Sequence, residues 1–360
     1  MPMSGHLPIL PFSRPPTSIC ILRLSAIGDV CNAIASVQAI QREWPLTHIT
    51  WVVGKAESAL LQAVDNIEVI PVDKKQGWRG YLQLYRTLRG RKFDALLHMQ
   101  TAFRASLASL LIKAPLRLGF DSTRTGDNQH WFINTPVPSP TSTHVLDGFM
   151  QFAAALGVKN LQPTWTLTIP AQDIAWATPY KTDKPLLIIA PASSKAYKNW
   201  TVAGYAALAR HAAARNVDVI LTGGPAPAEE QLSSKIFQLA EDAITHNLTG
   251  KTSLLQMLAL LQQADIVCSP DSGPAHMAAA LGRPVLGIYA HHNPQRTGPY
   301  GWQQYIVSNY AQNITAQTGK TIEQLPWRSR VKDPLAMQQI DASEVLHNFD
   351  RMLTDCGITK

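Results

Sequence analysis

Short β-rich runs alternate with segments of helical period along nearly the whole chain, and that alternation restricts the fold to βα units built on parallel sheets. The first strand is expected at 18–24. A turn containing Gly28 follows, then Val30, Ile34, Val37 and Ile40 recur at helical spacing, and Pro45 marks the stop. Further strands are expected at 48–53, 68–72, 93–99 and 116–120, with helices at 56–64, 77–89 and 102–112. A helix over 143–156, stopped by Gly157, closes this half.

Sustained periodicity then lapses, and Pro163, Pro170, Pro179 and Pro185 punctuate the stretch, which places an interdomain linker at 161–184. A second series starts with a strand at 186–190. Thr201 is a good N-cap for a helix running to 215, and a strand at 217–221 ends in Thr222-Gly223-Gly224-Pro225. Helices at 228–239, 253–263 and 274–281 alternate with strands at 266–269 and 285–289. With 360 residues, 46% of them apolar, there is enough material for two cores. The expected class is α/β: two Rossmann-like, doubly wound domains, 18–160 and 185–340, facing each other across a cleft. A loose leader at 1–17 precedes them, and a terminal helix at 341–360 follows.

Several function classes drop out on composition. No run approaches the eighteen or so unbroken apolar residues that a bilayer span needs, and 1–18, with five prolines and one arginine, lacks the pattern of a signal peptide. Cys20, Cys31, Cys268 and Cys356 are scattered and form no CxxC pair, which suits buried thiols in the cytoplasm. The formal charge of +7 suggests a polyanionic partner: nucleic acid, anionic lipid and phosphorylated sugar all satisfy it. Zinc spacing, RNA-binding aromatics and a basic tail are all missing, so nucleic acid is not expected.

Ligands of open parallel sheets gather at the carboxyl ends of the strands. At the first such end, Arg23-Leu24-Ser25-Ala26-Ile27-Gly28-Asp29-Val30 runs through a glycine turn into a helix and sets one carboxylate at its start, where Asp29 is either a cap or a catalytic group. The GxGxxG of a dinucleotide fold is missing here. A denser cluster is Ser269-Pro270-Asp271-Ser272-Gly273-Pro274-Ala275-His276. Gly273 allows close backbone approach, Pro274 suits the first helical position, and the helix start offers free N–H groups to a diphosphate. His276, about one turn in, is within reach of the same anion or of a sugar hydroxyl.

Lys195-Ala196-Tyr197-Lys198-Asn199-Trp200 brings two cations to the loop after strand 186–190. Glu229 and Glu230 follow the Gly223-Gly224 turn, where a carboxylate suits either ribose hydroxyls or the helix dipole. The segment 74–92 holds Lys74, Lys75, Arg79, Arg86, Arg89, Arg91 and Lys92 with no acid, interleaved with Trp78, Tyr81, Leu82, Tyr85 and Leu88. It is either a solvated helix with a core-facing side or a helix lying on an anionic membrane surface.

Together these segments resemble the ADP-heptose heptosyltransferases of glycosyltransferase family 9, over about 19–300. The most specific match is Asp271-Ser272-Gly273-Pro274-Ala275-His276-Met277-Ala278-Ala279-Ala280 followed by Arg296-Thr297-Gly298-Pro299-Tyr300-Gly301. Ser25-Ala26-Ile27-Gly28-Asp29 is similar to the family's N-terminal loop, Lys198-Asn199-Trp200 to its lysine-containing donor loop, and the variant at 23–31 to the enzymes that attach the first heptose to Kdo.

The resemblance implies a GT-B architecture with acceptor binding in the N-terminal domain, donor binding in the C-terminal domain, and a terminal helix that crosses back to the first domain. It implies Asp29 as general base and Lys198 as diphosphate clamp. Ser193, Ser194, Asp271, Ser272, Gly273 and His276 would face the donor, Thr252 the adenine side, and Glu230 the ribose or heptose. An insertion of Pro227-Ala228 leaves the register of the last open. Ser25, Gly28, Gln100, Arg104 and Arg124 would meet the acceptor.

The implied reaction is inverting transfer of L-glycero-D-manno-heptose from ADP-heptose to Kdo of Kdo-lipid A, on the cytoplasmic face of the inner membrane, with no cofactor and no tightly bound metal. The alternatives are transfer of a later core heptose, a GT-B-fold nucleotide-sugar epimerase, and a non-catalytic binding module.

Overall fold

The structure, a computed structural model, describes residues 10–358. The chain divides into two compact units, Met1–Thr168 and Ile169–Lys360.

The sheet of the first unit is built from β1 (Ser18–Leu22), β2 (His48–Gly54), β3 (Ile67–Val72), β4 (Ala95–His98), β5 (Leu116–Gly119) and β6 (Thr135–Pro136). Its order is β3-β2-β1-β4-β5-β6 and its pairings are parallel. Strand β1 is central, with Cys20 in register with Thr50 and Leu96. Ile19, Cys20, Ile21 and Leu22 are all buried, the continuous apolar run that a parallel strand covered on both faces requires. The chain works outward from β1 to β3 and then returns to β4, so the strand order reverses between β1 and β4. Loops leaving the carboxyl ends of those two strands diverge there and form a crevice suited to ligands.

The second unit repeats the plan with β7 (Leu186–Ile189), β8 (Asp218–Leu221), β9 (His246–Asn247), β10 (Ile266–Pro270), β11 (Val285–Tyr289) and β12 (Ile306–Ser308), in the order β12-β11-β10-β7-β8-β9. Here the reversal lies between β7 and β10, which puts the loops after Ile189 and Pro270 side by side. Local chemistry sets the helix limits: Thr201 accepts a hydrogen bond from the Gly204 amide, Ser253 and Gln256 form a capping box, and Gly157 ends its helix in the left-handed region at φ 107°.

The structure departs from expectation at several places. Positions 1–9 of the expected loose leader lie outside the described residues. The rest is packed down, with the Phe12 amide donating to Leu156 O at 3.0 Å, the Phe12 ring edge-on to Trp44 at 6.2 Å and Thr47 Oγ1 donating to Pro16 O at 2.7 Å. The expected linker contains a helix, Ala171–Ala177, that packs on the helix Leu254–Gln263 of the second unit. The terminal helix Ala342–Asp355 packs, within the second unit, on β11, β12 and the helix Val202–Ala213. Its Val345, Phe349, Met352 and Leu353 enter the core of the second unit. The strands β6, β9 and β12 are too short to show a period. Among the described residues, no helix is long and apolar enough to cross a membrane.

Candidate active site

In the first unit, the turn after β1 is tied down from three sides. The Leu24 amide donates to Gln100 Oε1 at 2.6 Å, and Gln100 Nε2 donates to Ser25 Oγ at 3.3 Å. Leu24 O accepts from Lys74 Nζ at 2.8 Å and from the Gly54 amide at 3.0 Å. A Cβ on Gly54 would stand 2.3 Å from Leu24 O, so only glycine allows the strand this close to the turn. Lys74, also ion-paired to Glu57 at 3.2 Å, is therefore a brace of this loop and no part of a free basic surface.

Asp29 is the third residue of the helix Ile27–Glu43. Its Oδ2 accepts from the Ala26 amide at 3.4 Å and is ion-paired with the Arg23 guanidinium, and its side chain remains 37% exposed. Arg23 itself is buried, donates to Met99 O at 2.5 Å and lies 5.2 Å from the centre of the Phe149 ring. Asp29 is thus both an element of the helix start and an accessible carboxylate, and the two readings do not exclude each other.

Ser25, Gly28, Asp29 and Gln100 come together around this turn. The other two expected acceptor contacts differ. Arg104 is exposed on the helix Phe103–Ser109. Arg124 is buried, pairs with Asp121 at 3.4 Å and donates to Ser142 O at 2.7 Å, which makes it a framework group of its loop rather than a contact open to an acceptor.

In the second unit, the reversal between β7 and β10 joins the lysine loop to the aspartate loop. Ser193 Oγ donates to Asp271 O at 3.2 Å, and the Ser193 amide donates to Asn199 Oδ1 at 2.7 Å. Lys198 Nζ lies 2.7 Å from Asp271 Oδ2, and His292 Nδ1 lies 2.5 Å from the same oxygen. Burial alone would push the Asp271 carboxyl up. The hydrogen bond from His292 and the charge of Lys198 outweigh it and hold the group well below the usual carboxylate range. Burial, joined by the charges of Lys198 and Arg296, lowers the His292 imidazole despite Asp271.

Directly after Asp271, the helix Gly273–Ala280 begins at Ser272, whose hydroxyl meets Ser269 Oγ at 2.8 Å. Pro274 stands one position further in than expected, at the second helical residue, where its missing N–H costs nothing. His276 is buried in the first turn, and Ser194 is exposed.

The two glutamates after the glycine turn are placed differently. Glu229 Oε2 accepts from the Gly224 amide at 2.7 Å and is committed to the turn. Glu230 is exposed and lies against Gly250, where φ is +77° and a Cβ would stand 2.2 Å from Glu230 Oε1. Two residues on, Thr252 Oγ1 is buried with no protein partner among the described residues, as is Thr222 Oγ1 before the turn. Buried hydroxyls of this kind suit a polar ligand.

Two side chains that pair with the candidate aspartates were not singled out from sequence: His292 with Asp271 and Arg23 with Asp29. His292 sits at the carboxyl end of β11, so the strand-end rule alone would have flagged it; Arg23 follows the apolar run of β1. Among the described residues, no group of three or more His, Cys, Asp or Glu has the geometry to hold a metal ion.

The family model for glycosyltransferase family 9 (heptosyltransferase) matches residues 81–327. The lipopolysaccharide core heptosyltransferase OpsX of Haemophilus influenzae is 45% identical over 342 residues, covering 95% of this chain and 98% of that protein. Lipopolysaccharide heptosyltransferase 1 of Pseudomonas aeruginosa is 28% identical over 304 residues, 79% of this chain and 82% of that one. Among solved structures, the glycosyl transferase family 9 protein of Veillonella parvula aligns with a TM-score of 0.74 at 21% identity, over 94% of this chain and 97% of that one. E. coli heptosyltransferase WaaC with ADP aligns at 0.70 and 21% identity, over 93% and 99%. The two doubly wound sheets are thus those of a GT-B fold.

Proposed function

The chain belongs to glycosyltransferase family 9, the heptosyltransferases, and is a glycosyltransferase; from that membership we propose that it transfers L-glycero-D-manno-heptose from ADP-heptose, with inversion, to Kdo of the lipopolysaccharide inner core. The observation that carries the donor half is the meeting of Lys198 and His292 on Asp271 at the start of the helix Gly273–Ala280. Both a fixed cation and free helix N–H groups lie there, the combination that stabilises a departing diphosphate.

In the proposed reaction, Asp29 takes the proton of a Kdo hydroxyl as that oxygen bonds to the anomeric carbon of heptose. The bond from that carbon to the diphosphate breaks, and ADP leaves with the electron pair. Arg23 holds the Asp29 carboxylate by a charge-assisted contact. One carboxylate suffices, because an inverting route forms no covalent intermediate. Lys198 and the first amides of the helix Gly273–Ala280 take up the charge growing on the diphosphate. Glu230 and Thr252 are assigned to the nucleoside and sugar hydroxyls, and Ser193 and Asn199 shape the lysine loop. Ser25, Gly28 and Gln100 are assigned to the acceptor, and Arg104 is retained as an exposed cation near it.

Attachment of the first heptose is favoured by the form of the 23–31 segment. The lipid-linked acceptor and the acid-free segment 74–92 support a peripheral position on the anionic cytoplasmic face of the inner membrane. The test is to incubate purified protein with ADP-heptose and two defined acceptors, one ending in Kdo and one already carrying heptose, and to weigh the products. A gain of one heptose on the Kdo-terminated acceptor is expected; a gain only on the heptosylated one overturns the first-heptose reading.

A further inference from the structure

Two neighbouring helices of the first unit bury one face and leave an apolar stripe in solvent. On Trp78–Leu88, Gly80, Leu84 and Leu88 are buried, whereas Trp78, Leu82 and Tyr85, four and three residues apart, are exposed, Trp78 by 71%. The second helix, Phe103–Ser109, repeats the pattern. Ala105, Ala108 and the following Ile112 are buried, while Phe103, Leu107 and Leu110, again four and three apart, are exposed, Leu110 by 62%.

The buried residues of both helices share one core with Leu22, Leu24 and Leu96, and Tyr81 Oη donates to Arg104 O at 3.2 Å. The two stripes therefore lie on the same side of the sheet. Trp131, 70% exposed, joins them: the neighbouring Phe132 ring meets Phe103 edge-on at 6.0 Å.

Charge selects the occupant. Between 74 and 120 the chain has ten basic residues and one acid, Asp94, which accepts from the Thr17 and Ser18 amides. Lys74, Arg91 and Arg117 are engaged within the unit. Arg79, Arg86, Arg89, Arg104 and Lys113 are exposed beside the stripes. A second copy docking here would bring one cationic face onto another. Aliphatic and aromatic side chains rimmed by arginine and lysine instead match the boundary between acyl chains and anionic headgroups.

We propose that the helices Trp78–Leu88 and Phe103–Ser109, with Trp131, form a single docking face for an anionic lipid bilayer, into which Phe103, Leu107 and Leu110 insert. This rests on the reading of 74–92 as membrane-facing and extends it to a second helix and a loop outside that segment.

The experiment is co-sedimentation of the full chain with phosphatidylcholine vesicles with and without phosphatidylglycerol. Wild-type protein should bind the anionic vesicles. Phe103→Ser/Leu107→Ser/Leu110→Ser should bind about tenfold or more weakly, and Leu110→Ser alone about threefold, with melting curves and transfer to a water-soluble acceptor unchanged. If both serine variants bind like wild type while Arg79→Gln/Arg86→Gln/Arg89→Gln does not, the second helix is excluded and the basic segment alone docks. Failure of wild-type protein to bind overturns both readings. A wild-type dimer that the serine substitutions dissociate, without vesicle binding, assigns the face to a second copy and overturns the proposal.

Discussion

Lys198 Nζ stands 2.7 Å from Asp271 Oδ2, so the cation assigned to the donor diphosphate is held in place by an anion from the neighbouring loop. Lys198→Ala should raise the ADP-heptose dissociation constant and slow transfer as well, because charge on the leaving diphosphate is greatest in the transition state. A fall in kcat/KM of at least roughly tenfold is expected, on the scale of one lost charge-assisted contact. The variant also removes a cation that depresses His292, so the imidazole should titrate at higher pH than in the wild type. Calorimetry on the donor and proton NMR of His292 check the two halves; normal affinity with normal turnover would remove Lys198 from the site.

Asp29 is paired with Arg23 and bonded to the Ala26 amide, so a substitution there touches both the helix start and the chemistry. Asp29→Asn keeps the shape and an acceptor oxygen but takes no proton at neutral pH. Turnover should fall by roughly a hundred- to ten-thousand-fold, the usual worth of a general base, with ADP-heptose affinity unchanged. Asp29→Ala should be equally inactive and additionally lose about 1 kcal/mol of stability, since Ala26 N–H loses its acceptor. Single-turnover rates and melting curves on the pair distinguish the roles; near-normal transfer by Asp29→Asn would exclude it as the base.

His98 supplies a pH dependence unconnected with transfer. It is fully buried at the end of β4, with Nε2 3.1 Å from Ser106 Oγ, and burial, aided by the charges of Arg117 and Arg23, lowers its imidazole to about 3. The unfolded chain takes up a proton there near pH 6.5 and the folded chain does not. Stability from this group is therefore complete above about pH 6.5 and is lost as the pH falls from there towards 3, by about 1.4 kcal/mol per pH unit. Denaturant titrations at a series of pH values should show that slope, and His98→Gln should reduce it by one proton. An unchanged slope would mean that another group sets the acid sensitivity.

Gly204 lies beneath Trp200, and a Cβ there would stand 2.5 Å from the indole ring. The ring is buried and rigid, so Gly204→Ala should cost roughly 1–3 kcal/mol by overpacking. Because Trp200 ends the loop that carries Lys198, the same variant should weaken donor binding although it touches no ligand. A melting curve with a donor titration tests both; lost stability with unaltered donor affinity would show that the loop is insulated from the ring.

Much of the architecture was legible because its signals are local and repeated. The run Ile19–Leu22 can only be a strand covered on both faces, and Thr201, Ser253 and Gly157 mark helix ends by their own side-chain or backbone chemistry. The pair Thr135–Pro136 carries no period, and the amphipathic terminal helix shows that it packs without showing on what. In the site, Asp271 and Lys198 stand in distinctive local sequences. Their meeting with His292 depends on strand order, since β10 and β11 are neighbours while β7 joins from the other side. That Glu229 rather than Glu230 is engaged by the turn rests on a single backbone N–H, that of Gly224.

Trp200 Nε1 donates to Ile340 O at 3.2 Å, just ahead of the helix whose Val345 and Phe349 share the core with that indole. Residues 340–355 thus act as a latch on the lysine loop, although none of them lies in the lysine or aspartate loop itself. Deleting them, or fusing a tag that strains them, would register in an assay as poor use of nucleotide sugar and could be mistaken for damage to the diphosphate clamp.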